Sequence, residues 1–283
     1  MAQKRVLILG ANGLLGTVLT KDLAASRKFE IFTHSHSTQA DFGHDLSKYK
    51  SVCELLLSVK SDFCLNLLAL TDVNLCESEK EKAHRLNVLP IQNIVKCVLK
   101  NNLELKLIQI STDHVYDQTL ALETDVKIVN NYALSKFIGD EISQLMNAVV
   151  LRTNFFGASQ SSKASFSDWI IQSLMADKDI NGFGDVYFSP LHLSTLCAEI
   201  ERVILNFQPG VYNLGSRSGL SKYEFIVELR KHKKISTGHV FETKYADANI
   251  PIPRPLDMRM DVSKFEKAFK TQLPTLLQEI YKC

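Results

Sequence analysis

The chain has 283 residues, a formal net charge of +2 and 45% hydrophobic residues. That is enough chain for one large or two small domains with a buried core, and too balanced a charge for a nucleic-acid footprint. No apolar run of about eighteen residues is present, so no membrane span is expected, and the N-terminus reads as a basic strand rather than a secretory leader. The six cysteines include no CxxC pair and read as reduced thiols of a cytoplasmic protein.

Val6 to Leu9 form an apolar run that reads as a buried parallel strand. Gly10, Gly13 and Gly16 follow at three-residue spacing, and Val18, Leu19, Leu23 and Ala24 continue at helical spacing, giving an expected helix over 14–25. A strand, a glycine turn and a helix N-terminus present unpaired amides and the positive end of a dipole to a pyrophosphate. In such a turn Gly10 sets the bend, Gly13 lets the backbone approach the phosphates, and Gly16 lets helix and strand pack closely. A second strand is expected over 29–33. Thr33, His34, Ser35, His36 and Ser37 stand at its end, with no carboxylate before Asp41. A carboxylate there would repel a 2′-phosphate, whereas hydroxyls and imidazoles can hydrogen-bond it. The segment therefore favours NADP(H), with NAD(H) as the alternative, and makes His34 a candidate cofactor residue.

Asp45-Leu46-Ser47 is expected to open the next helix, 50–60, with Asp45 as its cap. Phe63 to Leu70 reads as a buried strand, and Thr71 to Asn74 as the loop at its carboxyl end, where ligands sit in open α/β sheets. Helices over 78–88 and 91–101 and a strand over 105–110 follow, the last ended by Ser111-Thr112-Asp113. This alternation argues for an α/β fold, a Rossmann-type doubly wound parallel sheet with helices on both faces. Residues 1–153 would form the dinucleotide-binding domain, with 188–207 returning to it. Residues 154–283 would mainly form a smaller α/β substrate domain.

Tyr132 and Lys136 are four residues apart and share one helix face. A nearby ammonium favours the phenolate of a tyrosine, whose unperturbed pKa is about 10. A phenol tuned in this way can protonate a carbonyl oxygen while hydride reaches the carbon. Thr112, at a strand end, would hold the same oxygen.

In the second half, Val149 to Arg152 reads as a strand and Asn154 follows it. Residues 158–167, rich in Ser, Ala and Lys, read as a mobile loop over the site or as a plain disordered loop. A helix over 166–176 carries Trp169, expected in the core. Gly182-Phe183-Gly184 reads as a turn, 193–207 as a helix, 211–214 as a strand, and Ser221 as the cap of a helix through Leu229. Pro251 to Pro255 is a rigid extended segment.

Several of these stretches carry a resemblance. They are Gly10-Ala-Asn-Gly-Leu-Leu-Gly16, Asn66-Leu-Leu-Ala-Leu-Thr71, Arg85-Leu-Asn87, Ser111-Thr-Asp-His-Val-Tyr116 and Tyr132-Ala-Leu-Ser-Lys136. Leu151-Arg-Thr153, Gly210-Val-Tyr-Asn-Leu214, Lys222-Tyr-Glu-Phe225, Arg254-Pro255 and Asp261-Val-Ser-Lys264 extend it. Together they resemble the extended short-chain dehydrogenases/reductases, and more narrowly the dTDP-4-dehydrorhamnose reductase (RmlD-type) group of sugar-nucleotide reductases. The resemblance implies Thr112, Tyr132 and Lys136 as the catalytic trio. It implies Gly10, Asn12, Gly13 and Leu14 along the pyrophosphate, Asp45 and Leu46 by the adenine, Ala69 and Thr71 on the nicotinamide side, and Lys136 at the nicotinamide ribose. Asp113 would contact the sugar, with His114, Asn154 and Arg254 as further substrate contacts, and Arg254 suited to a diphosphate. His114 stands where the related 4,6-dehydratases carry a glutamate; it could do acid–base work at neutral pH or simply line the pocket. No metal is expected, because Val18 stands where some of these reductases carry a metal-holding glutamate. The implied activity is NADPH-dependent reduction of a nucleotide-linked 4-keto-6-deoxy sugar. A sugar-nucleotide epimerase or dehydratase on the same scaffold stays open. So does an NADP-binding regulatory subunit, since the non-catalytic subunit of methionine adenosyltransferase resembles the same family. The expected partner is a nucleotide sugar, with no nucleic acid or membrane; a homodimer stays open.

Overall fold

A computed structural model describes residues 3–35, 40–161 and 164–283. His36 and Ser37 of the segment after the second strand, and Ser162 and Lys163 of the 158–167 loop, lie outside the described residues. The chain divides into two compact units: residues 1–112, 130–152 and 200–211, and residues 113–129, 153–199 and 212–283. This differs from the boundaries expected above in two places. Residues 113–129 join the second unit because they pair with its late segments: Asp117 accepts the Leu256 amide at 2.7 Å, and Ala121 bridges Met260. The chain returns to the first unit at residue 200 rather than 188. Before that point Glu279 holds it, accepting the His192 amide at 2.6 Å and the Thr195 hydroxyl at 2.9 Å.

The first unit alternates strand and helix: β1 (Lys4–Leu9), α1 (Leu14–Ala25), β2 (Phe29–His34), α2 (Tyr49–Val59), β3 (Phe63–Asn66), α3 (Val73–Ser78), α4 (Lys80–Asn87), α5 (Leu89–Asn101), β4 (Lys106–Thr112), α6 (Asn131–Gln144) and β5 (Val149–Thr153). The sheet order is strand Gly210–Leu214, β5, β4, β3, β1, β2. β1 pairs in parallel with both β2 and β3, and β3 with β4. Val6, Leu7, Ile8 and Leu9 are all fully buried, which explains their unbroken apolar run: a parallel strand covered on both faces has no polar side. Leu7, Leu9 and Cys64 pack with Val52, Leu55 and Leu56 of α2 and Ile91, Ile94 and Val98 of α5 in one core cluster. The strand order reverses between β1 and β3, and the crevice beyond their carboxyl ends is where such sheets take ligands.

Three expected elements change in detail. The strand begun at Phe63 ends at Asn66, whose side-chain amide turns to Gln109 at 2.7 Å while its oxygen accepts the Leu68 amide at 3.3 Å. The helix expected over 78–88 is split at Glu79 (φ −122°, ψ 64°) into α3 and α4. Asp45 does not cap α2. Its carboxylate accepts from the Ser47 amide and hydroxyl, at 3.1 and 2.7 Å, closing a tight turn before a helix that starts at Tyr49.

The second unit holds α7 (Phe166–Met175), the start of α8 (Leu193–Leu205) and α9 (Lys222–His232). Strand Tyr187–Phe188 lies between Leu220–Ser221 and Asp257–Met258, and strand Ile180–Phe183 pairs in parallel with Val240–Thr243. Its core gathers around Phe225, with Phe156 and Phe188 edge-on at 4.9 and 5.2 Å. Reciprocal capping boxes start α7 (Ser165 with Asp168) and α9 (Ser221 with Glu224). Gly182 lies in a strand rather than a turn; a Cβ there would meet the Tyr223 Cα at 2.8 Å, so the glycine serves close packing under α9. Trp169 is 48% exposed and stacks on Phe166 at 6.0 Å instead of entering the core. Among the described residues no helix is long and apolar enough to cross a membrane.

Gly16 carries the tightest constraint in the first unit. A Cβ there would lie 2.4 Å from the Gly10 carbonyl oxygen and 2.7 Å from Ala11 backbone atoms, whereas one on Gly13 would meet only the Gly10 oxygen, at 3.3 Å. Gly16→Ala should therefore lower unfolding free energy by about 1–3 kcal/mol in urea titrations, with Gly13→Ala costing clearly less.

Candidate active site

The turn after β1 is shaped for close approach. Gly10 has φ +83°, and a Cβ there would sit 3.3 Å from Leu67 and Leu68 atoms. The Gly10 and Ala11 amides donate to the His34 carbonyl at 2.9 and 3.1 Å, tying the turn to the end of β2. Gly13 is the N-cap of α1 and supplies no side-chain cap; its own amide donates to the Gly10 carbonyl at 3.0 Å, which leaves the helix start at Leu14 as the end suited to an anion. Beside the turn lies a cavity of about 150 Å³. Its lining joins the expected His34, Asp45, Leu46 and Ala69 to Leu68, Arg85, Leu86 and Pro90. Thr71 follows in the exposed loop after β3. That loop is clamped by Asn87, which accepts the Leu70 amide at 2.6 Å and donates to the Leu70 carbonyl at 3.2 Å. Backbone room, an open helix end and a largely apolar cavity fit a dinucleotide.

The end of β2 departs from its expected chemistry. The His34 imidazole is 1% exposed, and its Nε2 is bonded to the His44 carbonyl at 2.8 Å. It is committed inside the fold, so it lines the cavity rather than reaching for a 2′-phosphate. Asp41, distant in sequence, folds back: its carboxylate accepts the Thr33 amide and hydroxyl, both at 2.8 Å.

Thr112, Tyr132 and Lys136 come together on β4 and α6, the helix packed against it. All three are nearly sealed from water, at 4%, 8% and 3% exposure. Asn130 fixes the start of α6 by accepting the Ala133 amide at 2.9 Å, and Glu77 accepts the Asn131 amide at 2.9 Å. Asn87 also donates to the Ser135 hydroxyl at 2.9 Å, linking the loop after β3 to this helix. Lys136 Nζ donates to the Ile110 carbonyl at 2.8 Å. Burial pushes the Lys136 ammonium down to about 8, against the opposing charge of Asp140. Asp140 and Arg152, paired at 3.1 Å, complete the buried group. Spacing alone brings Tyr132, Lys136 and Asp140 to one helix face, whereas Arg152 reaches the group from β5 with no local signal.

In the second unit Asp113 is buried, and its carboxylate accepts the Asn154 side-chain amide at 2.8 Å. His114 is pushed down to about 3, by burial first and then by the positive charges of Lys222 and Arg254. Its imidazole is therefore neutral across the physiological range and holds no extra proton to donate there. The Arg254 backbone amide donates to the Tyr245 hydroxyl at 2.9 Å. Lys222, quoted above only as part of a motif, lies with its ammonium 3.2 Å from the Phe188 ring centroid and 4.8 Å from that of Phe166. Burial lowers it to about 7, against the charge of Asp113. The signal for it was available: a lysine in the first turn of a helix faces the positive end of the dipole.

The family model described as "RmlD substrate binding domain" matches residues 4–283. A probable low-salt glycan biosynthesis reductase (Agl14) of Haloferax volcanii is 26% identical over 96% of this chain and 95% of its own. The dTDP-4-dehydrorhamnose reductase of Escherichia coli K12 is 26% identical over 95% of this chain and 93% of its own. In shape, a crystal structure of the Bacillus anthracis dTDP-4-dehydrorhamnose reductase in complex with NADP matches with a TM-score of 0.90 at 20% identity, covering 99% and 98% of the two chains. A UDP-glucose 4-epimerase of Thermotoga maritima has the same fold, with a TM-score of 0.83 at 13% identity over 98% and 96%. A match that begins in β1 and runs to the last residue takes in both the glycine turn and the Tyr–Lys helix, and by it the chain belongs to the RmlD family.

Proposed function

We propose that this protein reduces a nucleotide-linked 4-keto-6-deoxy sugar with NADPH. The observation that carries the reading is the buried Lys136 ammonium one helical turn beyond Tyr132, on the helix packed against the strand that ends at Thr112. When bound, the cofactor supplies hydride to the keto carbon. Gly10, Asn12, Gly13, Leu14 and Gly16 would hold its pyrophosphate, Asp45 and Leu46 its adenine, and Ala69, Thr71 and Lys136 its nicotinamide end. The Thr112 hydroxyl donates a hydrogen bond to the keto oxygen and fixes its place. The Tyr132 hydroxyl gives that oxygen its proton as the carbon accepts hydride, and the Lys136 ammonium stabilises the negative charge left on the phenol oxygen. Asp113, held by Asn154, would hydrogen-bond the sugar. Arg254 and Lys222 place positive charge around the neutral His114, which suits a diphosphate. NADPH is favoured over NADH because residues 33–35 carry no carboxylate and Asp41 is occupied by Thr33. The NADP complex of the Bacillus anthracis structure supports the same choice.

The test is NADPH oxidation with a dTDP-4-keto-6-deoxyhexose, followed by the loss of NADPH absorbance, against product measured in the same sample. One NADPH lost for each sugar reduced is expected. Product without net cofactor loss, or cofactor binding with no turnover of any sugar nucleotide, would overturn the reading. Tyr132→Phe removes the proton donor and should lower kcat by about 10²–10⁴-fold while NADPH still raises the melting temperature. Because Lys136 loses its proton near pH 8, kcat should fall as pH rises through about 8, and be steady below it until another group titrates.

A further inference from the structure

Behind Tyr132 the first unit buries three side chains that are ionised in water. Lys136, Asp140 and Arg152 are 3%, 0% and 2% exposed. Tyr132, Lys136 and Asp140 follow one another at four-residue steps and so form a line along one face of α6. Arg152 reaches that line from β5; its Nε donates to Asp140 Oδ2 at 3.1 Å, and its guanidinium lies 5.6 Å from the Phe137 ring centroid.

An ammonium so far from water is held in its charged form only by what surrounds it. The carbonyl of Ile110 is a neutral acceptor and does little to offset lost hydration. The charge that favours the Lys136 proton is the Asp140 carboxylate. Burial in turn pushes Asp140 toward its neutral acid, and the strongest opposing influence is Arg152, followed by the Ser111 hydroxyl and Lys136 itself. A guanidinium does not give up its proton in proteins, so it is the fixed end of the series. The remaining elements bring different groups. At the N-terminal end of α6, α3 contributes Glu77, on the Asn131 amide, and Cys76, whose carbonyl accepts from the Asn131 side chain. From α4 comes Asn87, from β4 Ser111 and Thr112, and from α5 the apolar Ile91 near Gly139.

We infer that Arg152 and Asp140 are positioning residues of this active site: Arg152 holds Asp140 ionised, and Asp140 holds Lys136 as an ammonium beneath Tyr132. Loss of either charge lets Lys136 release its proton at a lower pH, and the phenol oxygen then loses its stabilising cation in the working range. The inference builds on the reading of Tyr132 as proton donor, but it can be tested without turnover.

The experiment is NMR titration of the lysine side chains of the whole chain, with Lys136 assigned from its absence in Lys136→Met and Lys222 from its absence in Lys222→Met. In the wild type Lys136 should titrate near 8. In Asp140→Asn and in Arg152→Met its midpoint should drop by about one unit or more, and Asp140→Glu should keep it near the wild-type position. Removing one member of a buried pair can unfold the chain, so the double variant Asp140→Leu with Arg152→Met replaces both by apolar side chains, a change that buried pairs often tolerate. Lys136 should titrate low in the double variant as well, because the carboxylate that supports its charge is gone. An unmoved midpoint in the folded double variant, or a lower melting temperature with the midpoint unchanged, would overturn the inference and leave a merely structural ion pair. A wild type that fails to turn over the keto sugar counts against the reductase reading alone, whereas an active wild type with an unmoved titration counts against this inference alone.

Discussion

An ammonium with almost no access to water is the constraint around which the first unit is arranged. Lys136 turns a helix face that would ordinarily be apolar into a polar one, since Tyr132, Ser135, Lys136 and Asp140 are all buried on α6. Hydrophobic burial therefore cannot be the only force holding this helix on the sheet. Directed contacts take over: the Asn130 cap, the Glu77 carboxylate at the Asn131 amide, the Asn87 bridge to Ser135, and the Arg152 pair at its far end. Each satisfies a polar group that would otherwise be costly to bury. The outcome is a helix whose register against β4 is set by hydrogen bonds.

The glycine turn solves a different problem on the same sheet. An anion must meet backbone amides, so side chains have to be absent where the turn comes closest. Gly16 answers a requirement inside the protein, because α1 rests on the backbone of residues 10 and 11. Gly10 answers a conformational one, with its left-handed φ. His34 joins the two by an unexpected route: its carbonyl, not its imidazole, anchors the turn. Asn87 does comparable work for the loop after β3, which it ties to the Tyr–Lys helix through Ser135.

In the second unit, charge rather than shape distinguishes the cluster around Asp113. Burial first, and then the charges of Lys222 and Arg254, keep the His114 imidazole neutral near neutral pH. Lys222 is held against two aromatic faces at the start of a helix, where desolvation and the helix dipole both oppose its charge. The Asp113 carboxylate is the charge that favours its proton.

Much of this was legible in the linear chain. Apolar runs marked the buried strands, three glycines marked the turn, and the Tyr132–Lys136 step marked one helix face, because each of these depends on local periodicity and backbone freedom. What the chain order could not reveal were pairings between distant segments. Asp41 returns to Thr33, Asp140 meets Arg152, residues 113–129 pair with 256–260, and Lys222 acts on His114; none has a local signature. Asp45 closes a local turn where a cap has the same residue type, and Gly182 serves a tertiary contact where a turn has the same residue type. Sequence by itself determined the fold class and placed Tyr132 and Lys136 on one helix face, through short-range patterns of polarity and spacing. Tertiary structure alone decided which charges are buried together, and so which groups hold a proton, because desolvation and Coulomb interaction depend on distance in space and not on separation along the chain.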